Sequence, residues 1–109
     1  MPKEDRRIIF TNEEVYKALY AMTHKQGIKT LPPGRLDFIR ESAEDSNTIH
    51  IGLVNPHEKE AEQEKIEYSR DFVAAALMLF CKGCGIPLPK MAKKSVMFQN
   101  DNVVLRVQI

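Results

Sequence analysis

The two halves of this chain carry one pattern, and that repetition constrains its fold more than any other feature. Ile8-Ile9-Phe10-Thr11-Asn12-Glu13-Glu14-Val15-Tyr16-Lys17-Ala18-Leu19 aligns without a gap on Ile66-Glu67-Tyr68-Ser69-Arg70-Asp71-Phe72-Val73-Ala74-Ala75-Ala76-Leu77. Ile8/Ile66, Val15/Val73, Ala18/Ala76, Leu19/Leu77, Gly27/Gly85 and Ile28/Ile86 are identical, and Phe10/Tyr68, Thr11/Ser69, Glu13/Asp71 and Met22/Phe80 are chemically alike. After a slip of one residue Leu31-Pro32 meets Leu88-Pro89. Leu36 and Phe38 then match Val96 and Phe98, and Ile49, Ile51 and Leu53 match Val103, Leu105 and Val107.

The matched positions are mechanical ones. Thr11 and Ser69 are N-caps, whose hydroxyls accept a hydrogen bond from an early helical N–H. Glu14 completes a capping box in the first copy, where the second has Phe72. Phe10 with Val15, and Tyr68 with Val73, stand at the spacing of a hydrophobic staple. Gly27 and Gly85 are placed to take the left-handed conformation that ends a helix, and prolines soon follow. Each copy therefore reads as a strand, a helix and a hairpin.

The spacing predicts helices over about 12–26 and 70–84. Val15, Leu19 and Met22 form the buried face of the first, and Val73, Leu77, Phe80 and Cys84 that of the second. Hairpins follow from alternation, 35–41 with 48–54 and 94–99 with 103–109, the second turning through Asn100-Asp101-Asn102. The expected fold is α+β: two tandem β-α-β-β repeats with pseudo-twofold symmetry, forming an antiparallel sheet with two helices packed on one face. Residues 1–109 make one domain, with repeat 1 over about 6–54 and repeat 2 over about 66–109. The charged connection 55–65 is either a linker or a backward extension of the second helix, since Glu, Lys, Ala and Gln favour helix.

Composition sets limits on function. The chain is globular, 43% hydrophobic and 28% charged, and its 16 basic and 15 acidic residues nearly cancel, whereas dedicated nucleic-acid binders are usually strongly basic. The first residues, Met1-Pro2-Lys3-Glu4-Asp5-Arg6-Arg7, have no apolar run behind them, and Phe72–Cys81 is shorter than the roughly 20 residues that cross a bilayer. Two cysteines this close make no secreted disulfide framework, so the expected compartment is the cytoplasm.

Three surfaces are candidates. The second helix is apolar all round from Phe72 to Phe80, unlike the amphipathic first, and such a helix is covered on more than one side. A homodimer or partner interface centred on Phe72, Met78 and Leu79 competes with burial inside the monomer. Second, each helix ends in a cationic segment. Lys25, Lys29 and Arg35 follow the first; Lys82, Lys90, Lys93 and Lys94 follow the second. With Arg106, the set Lys90, Lys93 and Lys94 is the candidate grip on a nucleic-acid backbone, against the plainer reading that cations near helix ends complement the dipole. Third, Cys81-Lys82-Gly83-Cys84 is a weak metal or redox candidate. It closes a helix rather than opening one, so the dipole opposes a thiolate, and only His24, His50 and His57 remain to complete a zinc site. Asp37, His50 and Arg106 fall on the outward face of the strands. No glycine-rich phosphate loop, GxSxG elbow or HExxH motif occurs. The expectation is a non-enzymatic module without a cofactor, binding protein or regulating through self-association, with nucleic-acid binding as the alternative.

Overall fold

The computed structural model describes residues 3–55, 64–99 and 102–109. Along the chain run β1 (Asp5–Phe10), α1 (Asn12–Gln26), β2 (Arg35–Glu41), β3 (Thr48–Val54), β4 (Glu64–Ser69), α2 (Arg70–Gly83), β5 (Lys93–Gln99) and β6 (Asn102–Gln108). The fold is α+β, with two helices and two three-stranded antiparallel sheets, ordered β1-β6-β5 and β2-β3-β4.

Local chemistry explains where the helices begin and end. The Thr11 hydroxyl accepts from the Glu14 N–H (3.2 Å), while the Thr11 N–H donates to Glu14 Oε1 (2.9 Å), closing the capping box. At α2 the Ser69 hydroxyl accepts from the Phe72 N–H (3.1 Å). Each such cap stabilises its helix by about 1 kcal/mol. Both helices stop through the same pair of bonds. Ile28 and Gly27 donate to Thr23 and His24 carbonyls; Ile86 and Gly85 donate to those of Cys81 and Lys82. The two glycines sit at φ 68° and 74°, conformations costly for a residue with a Cβ.

The sheets depart from the single sheet that the sequence suggests. β1 does not stay beside the β2–β3 hairpin that follows α1; it pairs with β6, from Asp5 opposite Gln108 to Phe10 opposite Val103. β4 pairs with β3, from Glu64 opposite Leu53 to Ser69 opposite Thr48. The outer strands β2 and β5 do not fuse the sheets. β2 is bulged at Asp37, because Leu36 opposes Leu53 while Phe38 already opposes Gly52, and β5 opens with Lys93-Lys94. Bulges and lysines are common ways of blunting a strand edge.

α1 lies against α2 and β2, and α2 against β5 and β4. One cluster of buried side chains draws on both halves, including Phe10, Val15, Leu19, Ile49, Ile51, Val73, Leu77, Val103, Leu105 and Val107. Two details of the expected helix faces differ. Met22 is only half-buried, and Thr23 takes the buried place, its hydroxyl bonded to the Tyr20 carbonyl (2.9 Å). On α2 the buried set is Val73, Ala76, Leu77 and Cys81, with Phe80 half-buried and Cys84 exposed. The helix ends at Gly83, so Cys84 lies on the outgoing turn and not on the stripe.

Within 55–65, Glu64 and Lys65 belong to β4, and a strand therefore separates the connection from α2, which does not extend backward. Residues 56–63, with His57, Glu58, Glu60 and Glu62, lie outside the described residues, as do Asn100 and Asp101.

Candidate functional site

The residues singled out on α2 have different surroundings. Phe72 stacks on Tyr68, ring centroids 4.8 Å apart at 18°, and packs against the core. Burial also pushes the Tyr68 phenol above its usual pKa. Met78 is half-buried against the same core. Leu79, equally half-buried, opens on an apolar groove shared with Ala21, Phe80 and Cys84. Met78 and Leu79 thus line separate grooves, with Lys82 contributing to both.

The groove on the Met78 side is an open cleft of about 540 Å³. Met78, Ile86 and Leu88, half-buried, line it with the exposed Pro87 and with Lys82, Lys90 and Lys94. The helix stop creates it: Gly85 turns the chain leftward, so that Ile86–Leu88 runs back beside the last turn of α2. Arg6 reaches this loop from β1, its Nη2 donating to the Pro87 carbonyl (3.1 Å). Arg6 and Lys94 both oppose Val107, on either side of β6, so they share one sheet face.

The four cations considered for nucleic acid are therefore not brought together. Lys90 and Lys94 belong to this groove. Lys93 opposes Gln108, and Arg106 opposes Ser95 and Arg7, on the other face of that sheet. Arg106 is also committed. It makes a two-pronged pair with Asp5, Nε to Oδ1 at 3.0 Å and Nη2 to Oδ2 at 2.7 Å. The hydrogen bond from Arg106 holds the Asp5 carboxyl below the usual carboxylate range, and Asp5 pushes the guanidinium up in return. Lys25, Lys29 and Arg35 are exposed around the end of α1 and the start of β2.

The outward face of the β2-β3-β4 sheet holds a second open cleft, of about 760 Å³, lined in part by Phe38, Arg40, His50, Lys65 and Glu67. The Arg40 guanidinium sits 4.5 Å from the Phe38 ring centroid, and His50 Nδ1 lies 3.4 Å from Glu67 Oε1. Strict alternation from Leu36 would put Phe38 on the core face, but the bulge at Asp37 changes the parity of the strand. Gly52 directly opposite was the available signal, since a glycine inside a strand often marks a bulge or a close approach.

The cysteine pair has the geometry of a helix end. Cys81 is fully buried and its carbonyl is one of the two that stop α2, the place Thr23 holds in α1. Burial, with a smaller contribution from Cys84, raises the Cys81 thiol above its usual pKa. Cys84 is exposed, and both are free thiols. Among the described residues no cluster of three or more His, Cys, Asp or Glu side chains could hold a metal ion, and no helix is long and apolar enough to cross a membrane.

Sequence reasoning overlooked Arg70. It is the first residue of α2, where a cation opposes the helix dipole. Its side chain, 22% exposed, pairs with Glu41 and donates to the Ser46 carbonyl (2.8 Å) and to the Val96 carbonyl on β5. It also lies 5.6 Å from the Phe98 ring centroid. Glu41 is in one sheet and Val96 in the other, so Arg70 clasps the two together. An arginine in an unfavourable first turn was the sequence signal.

Searched against known protein families, curated proteins and solved structures, the chain matches none.

Proposed function

We propose that this protein is a non-enzymatic binding module that pairs with a second copy of itself across α2, and that its halves are copies of one β-α-β-β unit related by a pseudo-twofold. Several correspondences support the duplication. Thr11 and Ser69 cap, Gly27 and Gly85 stop, and Thr23 and Cys81 receive the closing bonds. Exchanging the halves turns the order β1-β6-β5 into β4-β3-β2, which is the other sheet. Asn12, the counterpart of Arg70, donates to the Leu36 carbonyl on β2 (3.5 Å), as Arg70 does to Val96 on β5.

The observation that carries self-association is the apolar groove between the helices. Ala21, Leu79, Phe80 and Cys84 line it, and Lys82 is the charged residue among its lining. Leu79 lies outside the main core cluster and so has apolar surface left to bury. Ala21 and Leu79 hold corresponding places in the two halves, so the groove falls where the halves meet. A net charge of +1 puts little repulsion between two copies. The free thiols of Cys81 and Cys84 suit a reducing compartment such as the cytoplasm.

Sedimentation equilibrium tests this reading. The wild type is expected to be a dimer. Leu79→Asp places a carboxylate in the apolar contact, costing about 3 kcal/mol, and weakens association roughly a hundredfold. Its circular dichroism should stay native, because Leu79 is not in the core cluster. A wild type that remains monomeric at high concentration overturns the proposal.

A further inference from the structure

We infer that the lysine-rimmed groove at the end of α2 is a docking site for an acidic, amphipathic segment of another protein, one that inserts an apolar side chain between flanking carboxylates. The inference uses a different groove from the proposed self-association and stands or falls separately. Three observations point to this occupant.

The first is charge. Lys82, Lys90 and Lys94 border the groove, no carboxylate lines it, and none of the three is in an ion pair among the described residues. Arg6, which touches the same loop through Pro87, adds a fourth cation close by, and its buried Nε has no hydrogen-bond partner among the described residues. This positive group, without a carboxylate partner among the described residues, stands on a chain whose overall charge is close to neutral, so it is a local concentration and not a general property.

The second is the floor. Met78, Ile86 and Leu88 are half-buried, offering apolar surface that a purely ionic ligand leaves wet. Methionine adapts its shape to varied apolar partners. A nucleic-acid backbone has no group to fill such a floor, and among the described residues no aromatic ring lines the groove for a base to stack on. The third is size. At about 540 Å³ the cleft is large enough to hold a few side chains, within the roughly 300–1,000 Å³ of ordinary binding sites.

The test uses the full chain and three labelled probes in fluorescence anisotropy: a short peptide alternating glutamate and leucine, an all-glutamate peptide of equal length, and a single-stranded oligonucleotide. The Glu–Leu peptide is expected to bind at least about tenfold more tightly than either other probe, since only it fills the floor. Lys90→Glu with Lys94→Glu should weaken it about tenfold or more, chiefly at low salt, through lost attraction and added repulsion. Lys90 is exposed and Lys94 half-buried, and neither belongs to the core cluster, so the double variant is expected to keep the native circular dichroism. Amide shift changes on adding the Glu–Leu peptide should centre on Met78, Ile86 and Leu88. Equal binding of all three probes would reduce the groove to a generic anion surface and overturn the inference. So would no binding of the Glu–Leu peptide, shifts centred elsewhere, or indifference to the charge reversal.

Discussion

Gly52 occupies the middle of the central strand of its sheet, where glycine usually costs about 0.5–1 kcal/mol. The neighbouring Phe38 explains it. A Cβ on residue 52 would lie 2.3 Å from Phe38 Cε1 and 2.6 Å from Cδ1, because the ring occupies the space over the bare backbone. The Arg40 guanidinium lies against the same ring. Gly52→Ala is expected to unseat the ring and destabilise the protein by about 1–3 kcal/mol, read as a lower urea midpoint. Adding Phe38→Ala should restore most of the loss, since it removes the clash. A midpoint unchanged by Gly52→Ala would mean that the ring does not rest there. The bulge at Asp37, which puts Phe38 on this outward face, illustrates a limit on reading residues alone: alternation assigns faces only while register is unbroken.

The elements themselves are well marked in the chain. Capping hydroxyls, a staple and left-handed glycines are local devices, and local devices decide where a helix starts and stops. The joint between elements is less visible. Arg70 holds Glu41 and Ser46 of one hairpin and Val96 of the other, through a fork that one side chain can supply. Arg70→Ala is expected to cost roughly 2–3 kcal/mol in chemical denaturation, because a charge-assisted network is lost in a mostly buried setting. Arg70→Lys should recover little of that, as an ammonium lacks the planar fork. Asn12→Ala, at the corresponding joint, should cost under about 1 kcal/mol, its bond being long at 3.5 Å. Equal losses at the two positions would show that the clasp on Val96 adds nothing special.

Across the whole molecule, strands are exchanged between the halves. β1 completes the sheet begun by β5 and β6, and β4 completes that of β2 and β3. Pairing Asp5 with Gln108 brings the two ends of the chain together, and contacts so distant in sequence favour slow folding, on the order of milliseconds to seconds. Neither half holds a three-stranded sheet by itself, and a lone hairpin is marginal in water. A fragment of residues 1–55 and one of residues 64–109 are each expected to be largely unfolded alone by circular dichroism. Mixed in equal amounts, they should recover native ellipticity and a cooperative melt. A fragment that folds alone would show that the exchanged strand is dispensable.

The helices to within a residue at their ends, both hairpins, the caps and the stops were legible in the amino-acid sequence, because each depends on residues near one another in the chain. The Val73 and Leu77 face of α2 was legible too, and so was the place of the cysteine pair at a helix end. Only the tertiary structure decided that there are two sheets rather than one, and that each borrows a strand from the other half. It also parted Met78 from Leu79 and Lys90 and Lys94 from Lys93 and Arg106, and committed Arg106 to Asp5. The physical reason is one of range. Backbone caps and side-chain periodicity are short-range and leave their mark in the order of residues, whereas strand partners and groups of like charge meet only when distant segments are packed, and that choice is made by the core as a whole.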